Sequence, residues 1–203
     1  GGEIVSADSM QIYQDMTIGT AKPAIEEMQG IKHYLIDCIL PSQRYSVSDY
    51  KRDAMQAIGE ILQKRKTPIV VGGTGLYISS LVENIQYPEL TLDEEYREYL
   101  NQIVEKRGLE VLYQKALTID PQAMEKISPN DQKRIMRVLE IYKQTGKTKT
   151  EQEIESKKQE IPYDYKVFAI SLDRAILYDR INKRVDIMIQ NGLIQEVKNL
   201  LKK

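Results

Sequence analysis

The stretch that decides the fold is Pro68-Ile69-Val70-Val71-Gly72-Gly73-Thr74-Gly75-Leu76-Tyr77. Its β-branched run predicts a buried strand over 69–71, and the glycines around a threonine predict a tight turn into a helix over 76–82. Such a turn leaves backbone N–H groups and a hydroxyl at the carboxyl edge of a sheet, where open α/β folds bind ligands. A short glycine run also fits a purely structural turn, so both interpretations stay open.

The same alternation of short apolar runs and helical patterns extends through the first half of the chain. It predicts a parallel sheet covered by helices, with a first strand over 4–6 and a further apolar run over 34–39. A capping box, in which Asp49 follows Ser46 by three residues, predicts the start of a helix. These patterns place the first half of the chain in the α/β class.

From about position 92 to 158 the pattern is helical, and a sheet pattern returns over 166–171. We therefore expect an α/β core made of 1–88 and 161–203, with 89–160 as an inserted helical lobe and connection. Within the lobe, one helix is expected to open at Ser128, and the polar stretch over 147–160 to be a mobile connection. A later amphipathic helix is expected over 176–189, ended by Asn191-Gly192.

Composition excludes several functional classes. The 203 residues are 41% hydrophobic and 29% charged, as in ordinary globular proteins. One cysteine, Cys38, and one histidine, His33, argue against a disulfide framework, a thiolate metal cluster and a Ser-His-Asp triad. No apolar run approaches the roughly 20 residues of a membrane span, so we expect a cytoplasmic protein without a membrane partner. A formal net charge of −1 still allows a local basic face for nucleic acid.

An acid, a hydroxyl and an amide follow the first predicted strand, within Asp8-Ser9-Met10-Gln11. Because the carboxyl ends of parallel strands meet at one edge of the sheet, we expect this loop and Thr74 to border the same crevice. A carboxylate there could accept a proton from a nucleophile. Asp and Ser cap helices more often than they catalyse, and a structural cap is the alternative.

Two helical patterns carry clustered cations. Lys133, Arg134 and Arg137 span about a third of a helix circumference, a spacing suited to phosphate contacts. Arg180 and Arg184 stand four residues apart, and their planar forks match phosphate oxygens, which predicts a diphosphate clamp. An ordinary solvated face is the alternative at both positions.

Taken in order, these segments resemble the tRNA dimethylallyltransferase family. The resemblance rests on Asp8-Ser9-Met10-Gln11-Ile12-Tyr13, Gly19-Thr20-Ala21-Lys22-Pro23, Gly72-Gly73-Thr74-Gly75-Leu76-Tyr77, Pro129-Asn130-Asp131 with the basic helix after it, and the Leu-Tyr-x-Arg-Ile-x-x-Arg-Val-Asp segment over 177–186. These motifs extend over nearly the whole chain. Any one of them could arise by chance, whereas the ordered set is highly specific.

The resemblance implies a fold like that of P-loop kinases, a parallel sheet flanked by helices, with an inserted helical domain that grips the tRNA anticodon stem-loop. It implies transfer of a dimethylallyl group from dimethylallyl diphosphate to N6 of the adenine 3′-adjacent to the anticodon, with Mg²⁺ as cofactor and a monomeric enzyme. The implied catalytic residues are Asp8 and Thr74. The implied substrate-binding residues are Ser9, Met10, Gln11, Arg180 and Arg184, and the implied tRNA-binding residues are Lys133, Arg134, Ile135, Met136 and Arg137.

The sequence departs from the family pattern at the phosphate loop. The family carries a Gly-x-x-x-x-Gly-Lys-Thr/Ser phosphate loop, and the 203 residues contain no such motif. We therefore expect a fragment that is inactive alone. Two other functions stay open, a P-loop-type small-metabolite or nucleotide kinase and a non-catalytic RNA-binding module. The large basic helical lobe favours a tRNA enzyme over a kinase.

Overall fold

The computed structural model describes residues 1–87 and 93–202, and they form two compact units. One unit joins Gly1–Glu83 to the segment that begins at Pro162, and the other is Asn84–Ile161. The predicted boundary between positions 88 and 89 lies outside the described residues. Within the described ranges, no helix is both long enough and apolar enough to span a membrane.

The first unit is built on a parallel sheet. In the described residues it has three strands, β1 (Gly2–Ser6), β2 (His33–Tyr34) and β3 (Thr67–Val71), in the order β2-β1-β3. The predicted first strand and the strand before Gly72 are confirmed. The apolar run over 34–39 is strand only at its start, because Leu35 and Asp37 adopt φ values of 59° and 60°, which extended backbone excludes.

Two strand predictions need correction. The strand over 69–71 was expected to be buried, but Ile69 is 45% and Val71 53% exposed. Side chains alternate between the two faces of a strand, and among the described elements helix packing covers only the opposite face. The strand expected over 166–171 is wrong: this stretch has no regular structure, and Phe168 is 88% exposed. A strand needs a neighbour for its backbone groups, and none of the three described strands pairs with this stretch.

Helices α1 (Val47–Gln63) and α2 (Gly75–Val82) complete the core of this unit. The predicted capping box is confirmed, since Ser46 and Asp49 exchange side-chain and backbone hydrogen bonds. The buried face of α1 packs on the central strand through Val5 and its neighbours. Tyr50 of α1 stacks on Tyr77 of α2 with ring centroids 3.9 Å apart and planes 7° apart. This contact ties the helix after the glycine turn to the core.

The second unit is helical throughout its described part. Its helices are α3 (Glu94–Arg107), α4 (Leu109–Ile119), α5 (Pro121–Met124), α6 (Gln132–Thr145) and α7 (Lys149–Ser156). They enclose a core of apolar side chains that includes Leu100, Leu112, Ile135, Val138 and Leu139.

Two helix predictions in this unit were wrong in detail. The helix expected to open at Ser128 begins later, because the Asp131 side chain accepts the N–H of Arg134 and so caps the helix at that point. The stretch over 147–160 was expected to be a mobile connection, but it contains α7. A capping box of Thr148 and Glu151 starts α7, and the buried Asp120 accepts from the backbone and hydroxyl of Thr150.

The first unit resumes with α8 (Arg174–Gln190) and α9 (Leu193–Leu200). The helix predicted over 176–189 is confirmed, as is its end at Asn191 and Gly192. Gly192 has a φ of 99°, a conformation that favours glycine and lets α9 start at once. The apolar residues of α8, among them Ile181 and Val185, are about half exposed in the described structure.

A buried carboxylate joins the start of β1 to the end of α1. Glu3 is 4% exposed, and its oxygens accept from Lys66 at 2.7 Å, Lys64 at 3.1 Å and the Tyr34 hydroxyl at 3.1 Å. The Lys66 ammonium, assisted by Lys64 and Tyr34 against the opposing effect of burial, lowers the pKa of Glu3 to about 2. The folded state therefore favours the charged form of this carboxyl.

Glu3 should make stability depend on pH in a defined direction. Its contribution is complete above the ordinary carboxyl pKa of about 4.3 and is lost as the pH falls towards the folded-state pKa. We expect Glu3→Gln to lower the urea midpoint at pH 7 and to reduce the loss of stability between pH 4.5 and 2. The control is Glu26→Gln at an exposed position. Equal pH profiles for wild type and Glu3→Gln would contradict this account.

Candidate active site

The two strand-end loops touch at Gly72. A Cβ built on Gly72 would lie 2.3 Å from both the carbonyl carbon and the carbonyl oxygen of Ala7, so only glycine fits there. The Ala7 N–H donates to Val71 O at 2.7 Å, and the Thr74 N–H donates to Ala7 O at 3.1 Å. The loop after β1 and the turn after β3 are therefore one packed assembly.

The hydroxyl of Thr74 joins this assembly to the loop after β1. It accepts from the Ser9 N–H at 3.0 Å and donates to the Ser9 hydroxyl at 3.2 Å. Thr74 precedes α2 in the N-cap position but makes no side-chain cap to that helix, because its hydroxyl is used across the turn. The two loops that the sequence predicted at one edge of the sheet lie together.

Asp8 uses one carboxylate oxygen to shape its own loop. Oδ1 accepts from the backbone N–H groups of Met10 at 2.8 Å and Gln11 at 3.1 Å. No described group donates to Oδ2, which remains an acceptor at the surface of this half-buried residue. No helix begins directly after Asp8 in the described structure, so its Oδ1 holds a turn instead of capping a helix, and Oδ2 can still accept a proton.

Gln11 links this loop to the segment with the sequence Gly-Thr-Ala-Lys-Pro. Its amide nitrogen donates to Thr20 O at 3.1 Å and Ala21 O at 3.2 Å. The next residue, Lys22, donates to Tyr13 O at 2.6 Å and pairs with Asp37. The orientation of the Gln11 side chain is fixed by these carbonyls, which leaves its amide oxygen as an acceptor.

A cationic cavity of about 460 Å³ lies between this segment and α8. Its polar and basic lining residues include Thr17, Lys22, Arg180, Lys183 and Arg184, and Ile18 is one of its apolar ones. Lys183 pairs with Asp179 at 2.8 Å, whereas Arg180 and Arg184 form no ion pair with any described residue. Two unpaired guanidiniums at one cavity fit a multivalent anion such as a diphosphate.

The structure brings the predicted site residues together in two groups. Asp8, Ser9 and Thr74 form one group, and Arg180 and Arg184 line the cavity beside Lys22. Asp8 and Thr74 are not among the residues that line this cavity. Gln11 is the described connection, since it follows Asp8 in one loop and is bonded to the segment that forms the cavity wall.

The second unit presents the predicted basic stripe on α6. Lys133, Arg134 and Arg137 are exposed. The other two residues predicted to bind tRNA have packing roles: Ile135 is fully buried in the core and Met136 is 6% exposed. The exposed members of the predicted set are therefore the three basic side chains, and tRNA binding by the five residues stays a prediction.

A buried carboxylate supports this stripe. Glu140, 2% exposed, accepts from Arg97 Nε at 2.7 Å and Nη2 at 3.0 Å, and Arg137 Nη1 lies 3.6 Å from it. The Glu140 carboxylate raises the pKa of Arg97 above its ordinary value. Arg137 is thereby held beside Glu140, whereas Lys133 forms no ion pair with a described residue.

Sequence reasoning missed a polar cavity of about 870 Å³ beside the stripe. Arg97, Asn101, Asn130, Gln132 and Lys133 are among its lining residues. The Gln132 amide donates to the Asn101 side chain at 3.1 Å across 31 positions of sequence. This pairing of α3 with α6 has no local sequence signal.

The described residues do not supply a protein-built magnesium site. No group of three His, Cys, Asp or Glu side chains that could hold a metal occurs in the ranges 1–87 and 93–202. Among the described residues, the charged side chains that line the cavity at α8 are mainly cationic, with Glu27 as the one carboxylate. A hard cation prefers oxygen ligands, so the residues present do not fit Mg²⁺ held by protein alone.

These features define an α/β protein with a glycine turn, a cationic cavity fit for a phosphorylated ligand, and a basic helical unit within its sequence. The family described as IPP transferase matches residues 11–203, and the chain belongs to that family.

The relatives agree with this assignment. A tRNA dimethylallyltransferase of Acetivibrio thermocellus is 49% identical over 200 residues, covering 98% of this chain and 64% of the relative. The crystal structure of a tRNA isopentenylpyrophosphate transferase from Bacillus halodurans matches with a TM-score of 0.63 and 41% identity, covering 99% of this chain and 62% of that one. A eukaryotic dimethylallyltransferase acting on tRNA matches with a TM-score of 0.75 and 31% identity, covering 99% of this chain and 50% of that one.

The chain thus spans less than two thirds of the length of each of these relatives. Its fold class is the expected one, a small parallel sheet flanked by helices, as in the solved tRNA isopentenyltransferases. The names of the relatives favour a transferase over the kinase alternative.

The close approach of Gly72 to the Ala7 backbone can be tested by substitution. We expect Gly72→Ala to lower the free energy of unfolding by about 2–3 kcal/mol, because the new methyl group would overlap the Ala7 backbone. Gly73→Ala is the matched control, since a Cβ there meets no described atom within 4 Å, and it should change stability by less than about 1 kcal/mol. Urea unfolding followed by circular dichroism measures both. Equal midpoints for the two variants would contradict the close approach.

Proposed function

We propose that this chain forms the substrate-binding part of a tRNA dimethylallyltransferase. The reaction transfers the dimethylallyl group of dimethylallyl diphosphate to N6 of the adenine 3′-adjacent to the anticodon. The observation that carries the proposal is the Ser9–Thr74 contact, which joins the Asp8 loop to the glycine turn with one Asp8 oxygen unused. The name of the 49% identical relative, tRNA dimethylallyltransferase, supports dimethylallyl transfer to tRNA.

Asp8 is the proposed general base. The exocyclic amine of adenine is a weak nucleophile, because its lone pair is delocalised into the ring. A carboxylate oxygen hydrogen-bonded to N6 can take its proton while the new C–N bond forms. Oδ1 is held by Met10 and Gln11, so the proposed acceptor is Oδ2. Thr74 and Ser9 keep this loop in place and present hydroxyls beside it.

Arg180 and Arg184 are proposed to bind the diphosphate. As the carbon–oxygen bond of dimethylallyl diphosphate breaks, its electron pair and a negative charge pass to the leaving diphosphate. Fixed cations stabilise that charge because they need no reorganisation when it develops. The two guanidiniums have no described carboxylate partner, and Lys22 and Lys183 line the same cavity. The two arginines would act on the leaving diphosphate, and Asp8 would act on the attacking N6 amine of adenine.

We keep Mg²⁺ as a proposed cofactor that would arrive with the diphosphate and bind phosphate oxygens. When bound, it would neutralise part of the phosphate charge. No step above depends on it, since the described residues offer no protein-built site. A monomeric state and a cytoplasmic location also remain predictions.

The helical unit is proposed to bind the anticodon stem-loop. Lys133, Arg134 and Arg137 offer an exposed cationic stripe for phosphate oxygens, and the neighbouring cavity has amide and guanidinium groups suited to nucleotide edges. The adenine has to leave its stacked loop to be modified, as in other base-modifying enzymes.

Replacement of Asp8 by Asn tests the proposed base. The Asn side-chain oxygen can still accept from Met10 and Gln11, so the loop keeps its shape while the proton acceptor is lost. In the full-length protein we expect the single-turnover rate to fall by about 10²-fold or more, with the tRNA dissociation constant within about two-fold of wild type. Prenyl transfer to tRNA is measured with radiolabelled dimethylallyl diphosphate.

Two results would contradict the proposal. An unchanged rate in Asp8→Asn would remove Asp8 from its role. Phosphoryl transfer from ATP to a small acceptor, with no prenyl transfer and no tRNA binding, would replace the transferase with a kinase.

Lys133→Ala tests the basic stripe. Each phosphate contact releases counterions from the RNA, so tRNA affinity falls as salt rises. Loss of one contact should make the plot of log affinity against log salt concentration less steep by about 1. Lys115→Ala is the control, because it removes an exposed lysine from α4 of the same unit, outside the basic stripe. It should leave the slope unchanged. Equal slopes for wild type and Lys133→Ala would contradict a phosphate contact at that position.

A further inference from the structure

Three successive backbone N–H groups converge on one side chain in the first unit. Those of Thr17, Ile18 and Gly19 donate to the Glu196 carboxylate at 2.9, 2.7 and 3.0 Å. Consecutive amides arranged in this way form a concave anion site. Here the anion belongs to the protein and comes from α9, 177 to 179 positions further along the chain.

The turn and α9 are packed closely enough to fix this contact. A Cβ on Gly19 would lie 3.1 Å from Leu193 Cδ1 and 3.4 Å from Glu196 Oε1. On the other side, Gly192 takes a φ of 99°, and a Cβ there would lie 4.0 Å from Ile18 Cδ1. Gly19 thus allows the close approach and Gly192 the sharp turn that brings Glu196 to the three amides.

The segment held by Glu196 carries groups of the proposed site. The carbonyls of Thr20 and Ala21, directly after the turn, orient the Gln11 amide. Thr17 and Ile18 themselves line the cavity that contains Arg180 and Arg184. A shift of the turn would therefore move one wall of the cavity and release Gln11 from its orientation.

We propose that Glu196 is a positioning residue that fixes the Thr17–Gly19 turn and thereby the geometry of the anion-binding cavity and of Gln11. The inference rests on the proposed function, since it assigns the cavity to a diphosphate. Glu196 would act through the turn and would not touch the substrate.

The charge state of Glu196 is consistent with this role. Burial raises the pKa of its carboxyl, but the amides of Gly19, Ile18 and Thr17 together with Lys22 outweigh that effect, so the pKa lies below its ordinary value. The carboxylate form is therefore retained at neutral pH, and its hold on the turn is lost only as the pH falls below the ordinary carboxyl range.

A purely electrostatic role and a positioning role of Glu196 predict opposite changes in anion affinity for Glu196→Gln. A carboxylate near a cationic cavity repels an anion, so removal of its charge should tighten anion binding if charge alone matters. If position matters, Glu196→Gln should weaken binding, because an amide NH₂ would face backbone donors and the turn would move. The sign of the change in affinity separates the two.

The experiment is titration of the full-length protein with inorganic pyrophosphate by calorimetry. We expect Glu196→Gln to raise the dissociation constant about ten-fold, equivalent to about 1.4 kcal/mol. Glu196→Asp keeps the charge but shortens the side chain, so it should also weaken binding, although less. Glu26→Gln removes an exposed charge from the neighbouring loop and should not weaken binding. Amide hydrogen exchange at 17–19 should accelerate in both Glu196 variants and not in Glu26→Gln.

Each outcome decides between the alternatives. Faster exchange together with weaker pyrophosphate binding supports the inference. Tighter or unchanged binding in Glu196→Gln overturns it, whatever the change in the unfolding midpoint, while wild-type prenyl transfer keeps the proposed function intact. A wild-type protein that binds no pyrophosphate and transfers no prenyl group overturns the proposed function, and the inference with it. If Glu196→Gln does not fold, Glu196→Asp carries the same decision through its affinity.

Discussion

The arrangement of the first unit depends on the contact between Gly72 and the Ala7 backbone, where there is no space for a Cβ atom. Because β1 and β3 run parallel and adjacent, the loops that leave them emerge side by side. Glycine lets the two backbones meet, so that the Thr74 N–H donates to Ala7 O and the Thr74 hydroxyl accepts from the Ser9 N–H. Any bulkier residue would separate the loops and with them the polar groups of the candidate site.

The strands and the first helix of this unit could be predicted from the sequence because their signals are local. β-branched runs, a glycine turn and a capping box are local signals whose consequences lie within a few residues, and the strands at β1 and β3 and the helix α1 follow them. The stretch around Phe168 failed because a strand depends on a partner that its own sequence does not encode. The same limit applies to β2, where backbone torsions at Leu35 and Asp37 end the strand.

The candidate site shows the same division. Asp8, Thr74, Arg180 and Arg184 could be singled out because their residue types and spacings suit the chemistry. Lys22 lines the cavity in the structure, but the sequence identified it only as a member of the Gly-Thr-Ala-Lys-Pro motif. Glu196 gave no signal at all, because its partners are backbone amides far away in the sequence. For Ile135 and Met136 the prediction rests on the motif as a whole, whereas the structure shows both side chains packed in the core of the helical unit.

The span between the Thr17–Gly19 turn and Glu196 has a consequence for the order of folding. The second unit consists of residues 84–161, so its own contacts can form without any residue after 161. The contact between Glu196 and the turn closes a loop of nearly 180 residues. During synthesis on the ribosome, the helical unit can reach its native packing before residue 196 has been made. The contact that fixes this wall of the cavity can form only after α9 has been made and the Glu196 carboxylate reaches the amides of Thr17, Ile18 and Gly19.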